Sequence, residues 1–143
     1  MAELPQQILI EQENVDETLK NLRDVLSRKE RSFVELAAIG TCLHNFYNGI
    51  ENILKQSLGA SAIKIPRGET WHKDLLKLSS SNGIISDAVR DKLFEYLTFR
   101  HYFVHSYSFM LQQNQLDVLV NNAPGIWMQF ISGVTAYFLN KTD

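Results

Sequence analysis

The chain has a single cysteine, Cys42, among 143 residues. An intrachain disulfide is therefore impossible, and so is a thiolate-rich metal site within one chain. Cys42 lies in an apolar pattern and reads as packing. Long hydrophobic runs are missing too. None approaches the ~18–20 consecutive apolar residues needed to cross a bilayer, so no membrane partner is expected. Residues 1–14 are acidic, with no basic leader and no extended apolar stretch. A secretory signal is not expected, and the cytoplasm is the expected location. Phosphate-cradling glycine loops and a Gly-X-Ser-X-Gly elbow are absent. The carboxylates show no paired spacing that would mark an acid/base couple. No cofactor is implied. Nor is there an excess of positive charge: the net charge of −2 argues against a general nucleic-acid binder.

What is present is the composition of a folded domain, with 45% hydrophobic and 21% charged residues. The length fits one domain, residues 1–143, with a single core. Charge is uneven along it. Residues 1–54 hold nine acids against five bases, and residues 55–105 hold eight bases against five acids. The positive excess ends in an arginine-histidine segment.

Hydrophobic periodicity is helical throughout. Ile8, Val15, Leu19, Leu22, Val25 and Leu26 recur at steps of three, four and seven. They predict a helix from near Leu4-Pro5 to about Arg28-Lys29. A second helix runs from Phe33 to Leu58, with Gly59 at the C′ position. Residues 59–70 read as a loop. Thr70 is placed to cap a short helix from Trp71 to about Leu78, which Ser79-Ser80-Ser81-Asn82-Gly83 is expected to break. Ser86 is a good N-cap for a helix reaching about Met110. A last helical region, about Leu116 to Leu139, is expected to be interrupted at Asn121-Asn122-Ala123-Pro124. The fold class is thus all-α, an up-and-down bundle of four main helices plus a short one. Its last two main helices should be richest in buried aromatics.

The chemistry concentrates in Phe99-Arg100-His101-Tyr102-Phe103-Val104-His105-Ser106-Tyr107. Seven of the fifteen aromatics lie between Phe94 and Phe109. At about 100° per residue, Arg100 falls on the most apolar stripe of its helix, with Leu93, Leu97, Val104, Tyr107 and Leu111. An arginine there needs an anion, a set of carbonyls or a wet cleft. His101 and His105, one turn apart, share another face, and Arg100 and His105 lie about 140° apart. One straight helix does not aim both at one phosphate. Either the helix bends, or a second copy across a twofold axis completes the site. Two plainer readings stand beside this one. Arg100 pairs with Asp91, Glu95 or Glu51, or His101 and His105 ligate a metal at i, i+4 spacing. His44 reads as a surface or core histidine, and His72 as structural or as a phosphate contact.

Arg100-His101-Tyr102-Phe103-Val104-His105-Ser106-Tyr107 resembles the Arg-X4-His-X-Tyr motif of the HEPN superfamily, in particular the HepT toxins. His101 matches the polar residue that commonly follows the arginine there. Phe46-Tyr47-Asn48-Gly49-Ile50-Glu51-Asn52-Ile53-Leu54 and Trp71-His72-Lys73-Asp74-Leu75-Leu76 are also similar to HepT sequences. Together these span about residues 5–140. The resemblance implies a homodimeric, HEPN-like helical fold and a metal-independent endoribonuclease acting on tRNA or mRNA. It implies a toxin–antitoxin pair in which a minimal nucleotidyltransferase neutralises the toxin by AMPylation of the motif tyrosine, here Tyr107. Arg100 and His105 would be catalytic: Arg100 grips the nonbridging oxygens, and His105 serves as acid or base while a 2′-OH attacks the phosphate. His101 and Tyr107 would support substrate binding. The alternative is a non-catalytic HEPN subunit that binds substrate or nucleotide for a nucleotidyltransferase. A pure helical interaction domain is the remaining rival.

Overall fold

The computed structural model describes residues 4–27, 32–105 and 112–141. Among them are five helices and no strand: α1 (Gln6–Leu26), α2 (Phe33–Ala60), α3 (Trp71–Ser81), α4 (Asp87–His105) and α5 (Gln113–Lys141). This is the all-α arrangement of four main helices and a short one that the periodicity predicts.

Helix α2 is the axis of the bundle. It starts at a full capping box, in which Ser32 Oγ accepts from the Glu35 amide and Glu35 Oε1 accepts from the Ser32 amide. Its apolar residues then recur on several faces, and between Ile39 and Leu58 only the stripe of Thr41, Asn45, Asn52 and Gln56 stays exposed. Ile39, Leu43, Phe46, Tyr47, Ile50, Ile53, Leu54 and Leu58 are all buried. Helix α1 lays Ile8, Val15, Leu19 and Leu22 along it. The two helices lie close at Gly49, where an added Cβ would sit 2.5 Å from Val15 Cγ2.

The end of α2 differs from the expectation. Gly59 lies inside the helix, and the C′ position belongs to Ala62, at φ +57°. The Ile63 amide donates to the Leu58 carbonyl and the Ala62 amide to that of Gly59, both at 3.0 Å. This is the paired closure of a Schellman turn. Helix α3 likewise runs through the serines to Ser81. Ser80 and Ser81 donate their hydroxyls to carbonyls three residues back, which suits a helix end as well as a turn. Ser86 does cap α4, its Oγ accepting from the Val89 amide at 3.1 Å.

Helix α5 is continuous through Pro124. Proline in a helix interior costs about 3 kcal/mol, because the i−4 carbonyl loses its donor and the ring crowds it. Packing outweighs this. Leu116, Val120, Ala123, Ile126, Trp127 and Phe130 are buried on both sides of the proline, which itself faces outward. Tyr96 Oη donates to the Leu119 carbonyl at 2.5 Å, and Trp127 Nε1 donates to Asp16 Oδ1 at 2.9 Å. Both bonds hold the helix in line. Buried aromatics are indeed frequent on α5 (Trp127, Phe130, Phe138), but α4 contributes only Tyr96 among the described residues, and α2 contributes Phe46 and Tyr47. Among the described residues no helix is long and apolar enough to cross a membrane.

Candidate functional site

Leu93, Tyr96 and Leu97 are buried and anchor α4 against the bundle. Arg100 follows one turn later on the same side and is half-buried. At the next position of the expected apolar stripe, Val104 is 47% exposed. In the last turn of α4 only Phe103 stays half-buried, against Phe99 and His44, and the arginine sits at the margin of the core.

No carboxylate among the described residues pairs with Arg100. Asp91 is held by Arg90, and Glu51 by His72. The Arg100 Nε instead donates to Asn48 Oδ1 at 3.1 Å. The amide of Asn48 then donates through Nδ2 to His44 Nε2, 2.9 Å away. That direction requires a neutral His44 with its proton on Nδ1, and this Nδ1 is buried without a partner. Burial pushes the His44 pKa below the ordinary imidazole value, the Arg100 charge pushes it further, and Glu51 opposes them. Asn48 therefore spaces a fixed cation from an imidazole kept neutral by that cation and by burial.

One turn along the same face of α2, the Glu51 carboxylate is only 3% exposed. It accepts from His72 Nδ1 at 2.7 Å. Beside it, the buried Tyr47 hydroxyl lies in the field of the carboxylate without a hydrogen bond of normal geometry. Burial first and Glu51 second raise its pKa far above that of a free phenol. His72 stacks on Trp71 with ring centroids 3.6 Å apart, and Lys55 Nζ lies 4.2 Å from the Trp71 ring. His44, Asn48 and Glu51 thus form a polar seam along α2, facing α3 and α4.

His101 and His105 are exposed, their ring centroids 4.7 Å apart. His101 lines a cavity between α3 and α4 together with His72 and Thr98. Helix α4 is unbroken from Asp87 to His105, so the single chain turns Arg100 toward α2 and leaves His105 on another face. Tyr107 lies outside the described residues.

The motif helix, its tether on α2 and the Trp71-His72 turn all fall within residues 38–140, the part matched by the family model described as HepT-like protein. The chain belongs to the HepT-like family of the HEPN superfamily. No curated protein and no solved structure matches it significantly. In this HepT-like chain, the sequence candidate Arg100 is tied to the polar seam through Asn48, and the candidate His101 lines the cavity beside it. The sequence reading does not single out Asn48, takes His44 as a surface or core histidine, and offers Glu51 only as one of three carboxylates for Arg100, whereas Glu51 pairs with His72. The signal for all three was present: His44, Asn48 and Glu51 stand at i, i+4 and i+7, a polar line through the most apolar helix of the chain.

Proposed function

We propose that this HepT-like chain is an endoribonuclease, and the toxin of a pair completed by a nucleotidyltransferase antitoxin. The observation that carries the reading is Arg100. It is a half-buried guanidinium anchored by a neutral amide rather than neutralised by a carboxylate, with His101 and His105 following it. A structural ion pair, the plainest rival, has no carboxylate to form it among the described residues.

The guanidinium binds the two nonbridging oxygens of an RNA phosphate and stabilises the charge that grows on them during reaction. A general base takes the proton of the adjacent 2′-OH. The O2′–P bond forms, the P–O5′ bond breaks, and a general acid gives a proton to O5′. The products are a 2′,3′-cyclic phosphate and a free 5′-hydroxyl. His105 supplies one of these proton transfers. Because Arg100 and His105 leave α4 on different faces, a composite cleft between two copies brings His105 of one protomer toward Arg100 of the other. Tyr107, as the acceptor of AMP, would place bulk and negative charge beside that phosphate position and block RNA.

The test is incubation of the purified chain and its His105→Ala variant with total RNA in EDTA, with mapping of the ends. Cuts bearing 2′,3′-cyclic phosphates, lost in the variant, are expected. Undiminished cleavage by His105→Ala rejects the assignment. A non-catalytic binding subunit is the second reading, favoured by the separation of Arg100 and His105 within one chain. RNA bound but uncut by wild type decides for it.

A further inference from the structure

The cavity between α3 and α4 has a volume of about 390 Å³, in the range that encloses small ligands. Phe94 and Leu97 form an apolar wall, and Lys73, Thr98, His72 and His101 supply polar groups around it. His101 belongs both to this cavity and to the arginine-histidine segment, so the cavity adjoins that segment.

His72 is unusually well fixed for a residue on the first turn of a short helix. A carboxylate only accepts, so the 2.7 Å contact with Glu51 holds a proton on Nδ1, and a second proton on Nε2 makes that edge a donor to an anion. Trp71 stacked on the ring restricts its rotation. Packing alone does not account for this arrangement. A buried ion pair is commonly no more stabilising than apolar residues of the same volume, and a Glu51 carboxylate deep in the bundle is costly to desolvate. An oriented imidazole facing a cavity is what the cost secures. Lys73 adds a cation beside it, and Glu69, also at the rim, can accept from a ribose hydroxyl or a base amino group.

We propose that this cavity is the subsite for the nucleotide adjoining the cleaved phosphate. His72, with Lys73, contacts that nucleotide's own phosphate, and the base lies against Phe94 and Leu97. Glu51 is a positioning residue that acts through His72. The assignment of that nucleotide to an RNA strand rests on the nuclease reading; the binding of a nucleotide does not.

The experiment follows the imidazole resonances of the full chain by ¹H–¹⁵N NMR during separate titrations with AMP, GMP, CMP, UMP and inorganic phosphate. At least one mononucleotide is expected to shift His72 and His101 together and saturably, more tightly than inorganic phosphate does. Glu51→Gln should weaken that binding about tenfold or more by loosening the aimed imidazole. Thr98→Trp, a larger side chain at an exposed helix position, should fill the cavity and remove the effect. If no nucleotide moves His72, or Thr98→Trp binds as wild type does, the proposal is wrong. A chain that binds mononucleotide here yet leaves RNA intact supports the subsite and rejects the nuclease. A chain that cuts RNA without any His72 response does the reverse.

Discussion

Ala62 sits at φ +57°, a left-handed conformation that costs a residue with a Cβ about 1–2 kcal/mol. Glycine adopts it without that cost but gives up about 0.4–1 kcal/mol through the greater freedom of its unfolded chain. Ala62→Gly should therefore stabilise the protein by about 0.5–1 kcal/mol. For a chain of this size that raises Tm by about 2–3 °C. Gly59 supplies the control. It is inside α2, and a Cβ added there meets nothing within 4 Å. Gly59→Ala should also stabilise, again by about 0.5–1 kcal/mol, through helix propensity. Differential scanning calorimetry on each variant measures this. A lower Tm for Gly59→Ala would refute the reasoning, because it would put the left-handed residue at position 59 and end α2 three residues earlier.

Gly133→Ala is expected to destabilise by about 1–3 kcal/mol by urea denaturation, because its Cβ would lie 2.9 Å from the Ile84 backbone carbonyl. His44 gives a pH dependence: its folded pKa lies below the unfolded value of 6.5, so the unfolded chain binds the extra proton. Its contribution to stability is complete above about pH 6.5 and declines as pH falls toward the lowered folded value. His44→Gln should flatten that part of the stability profile, and Arg100→Gln should move the His44 NMR titration upward. Arg100→Lys removes the Nε donor to Asn48 and the planar fork, and RNA cleavage should fall by about 10²–10³-fold. Cleavage within tenfold of wild type would show that charge alone suffices there.

Helix type and number were legible because apolar spacing and caps agree locally, as at Ser32 and Ser86. The errors came where tertiary packing overrode a local signal. Pro124 reads as a break, but buried residues on both sides carry α5 through it. The serines after Leu78 read as a stop, and α3 does end among them, three residues later than expected, because their hydroxyls are accommodated on helical carbonyls. Arg100 was recognisable from its apolar surroundings alone. Its tether was not, because Asn48 lies fifty-two positions away and only the crossing of α2 with α4 brings the two together. The same crossing took Glu51 from the arginine and gave it to His72. Nothing in local spacing records that choice.

The amide of Asn48 has one more effect. Long basic side chains on a surface lose rotamer freedom when an anion captures them, typically about 0.5–1.5 kcal/mol each. Here the shaft of Arg100 is tethered by Asn48, so a phosphate bound there, as proposed, would meet a preset clamp. Such a grip would lose little to ordering entropy, and selection among phosphates would be left to whatever surrounds them.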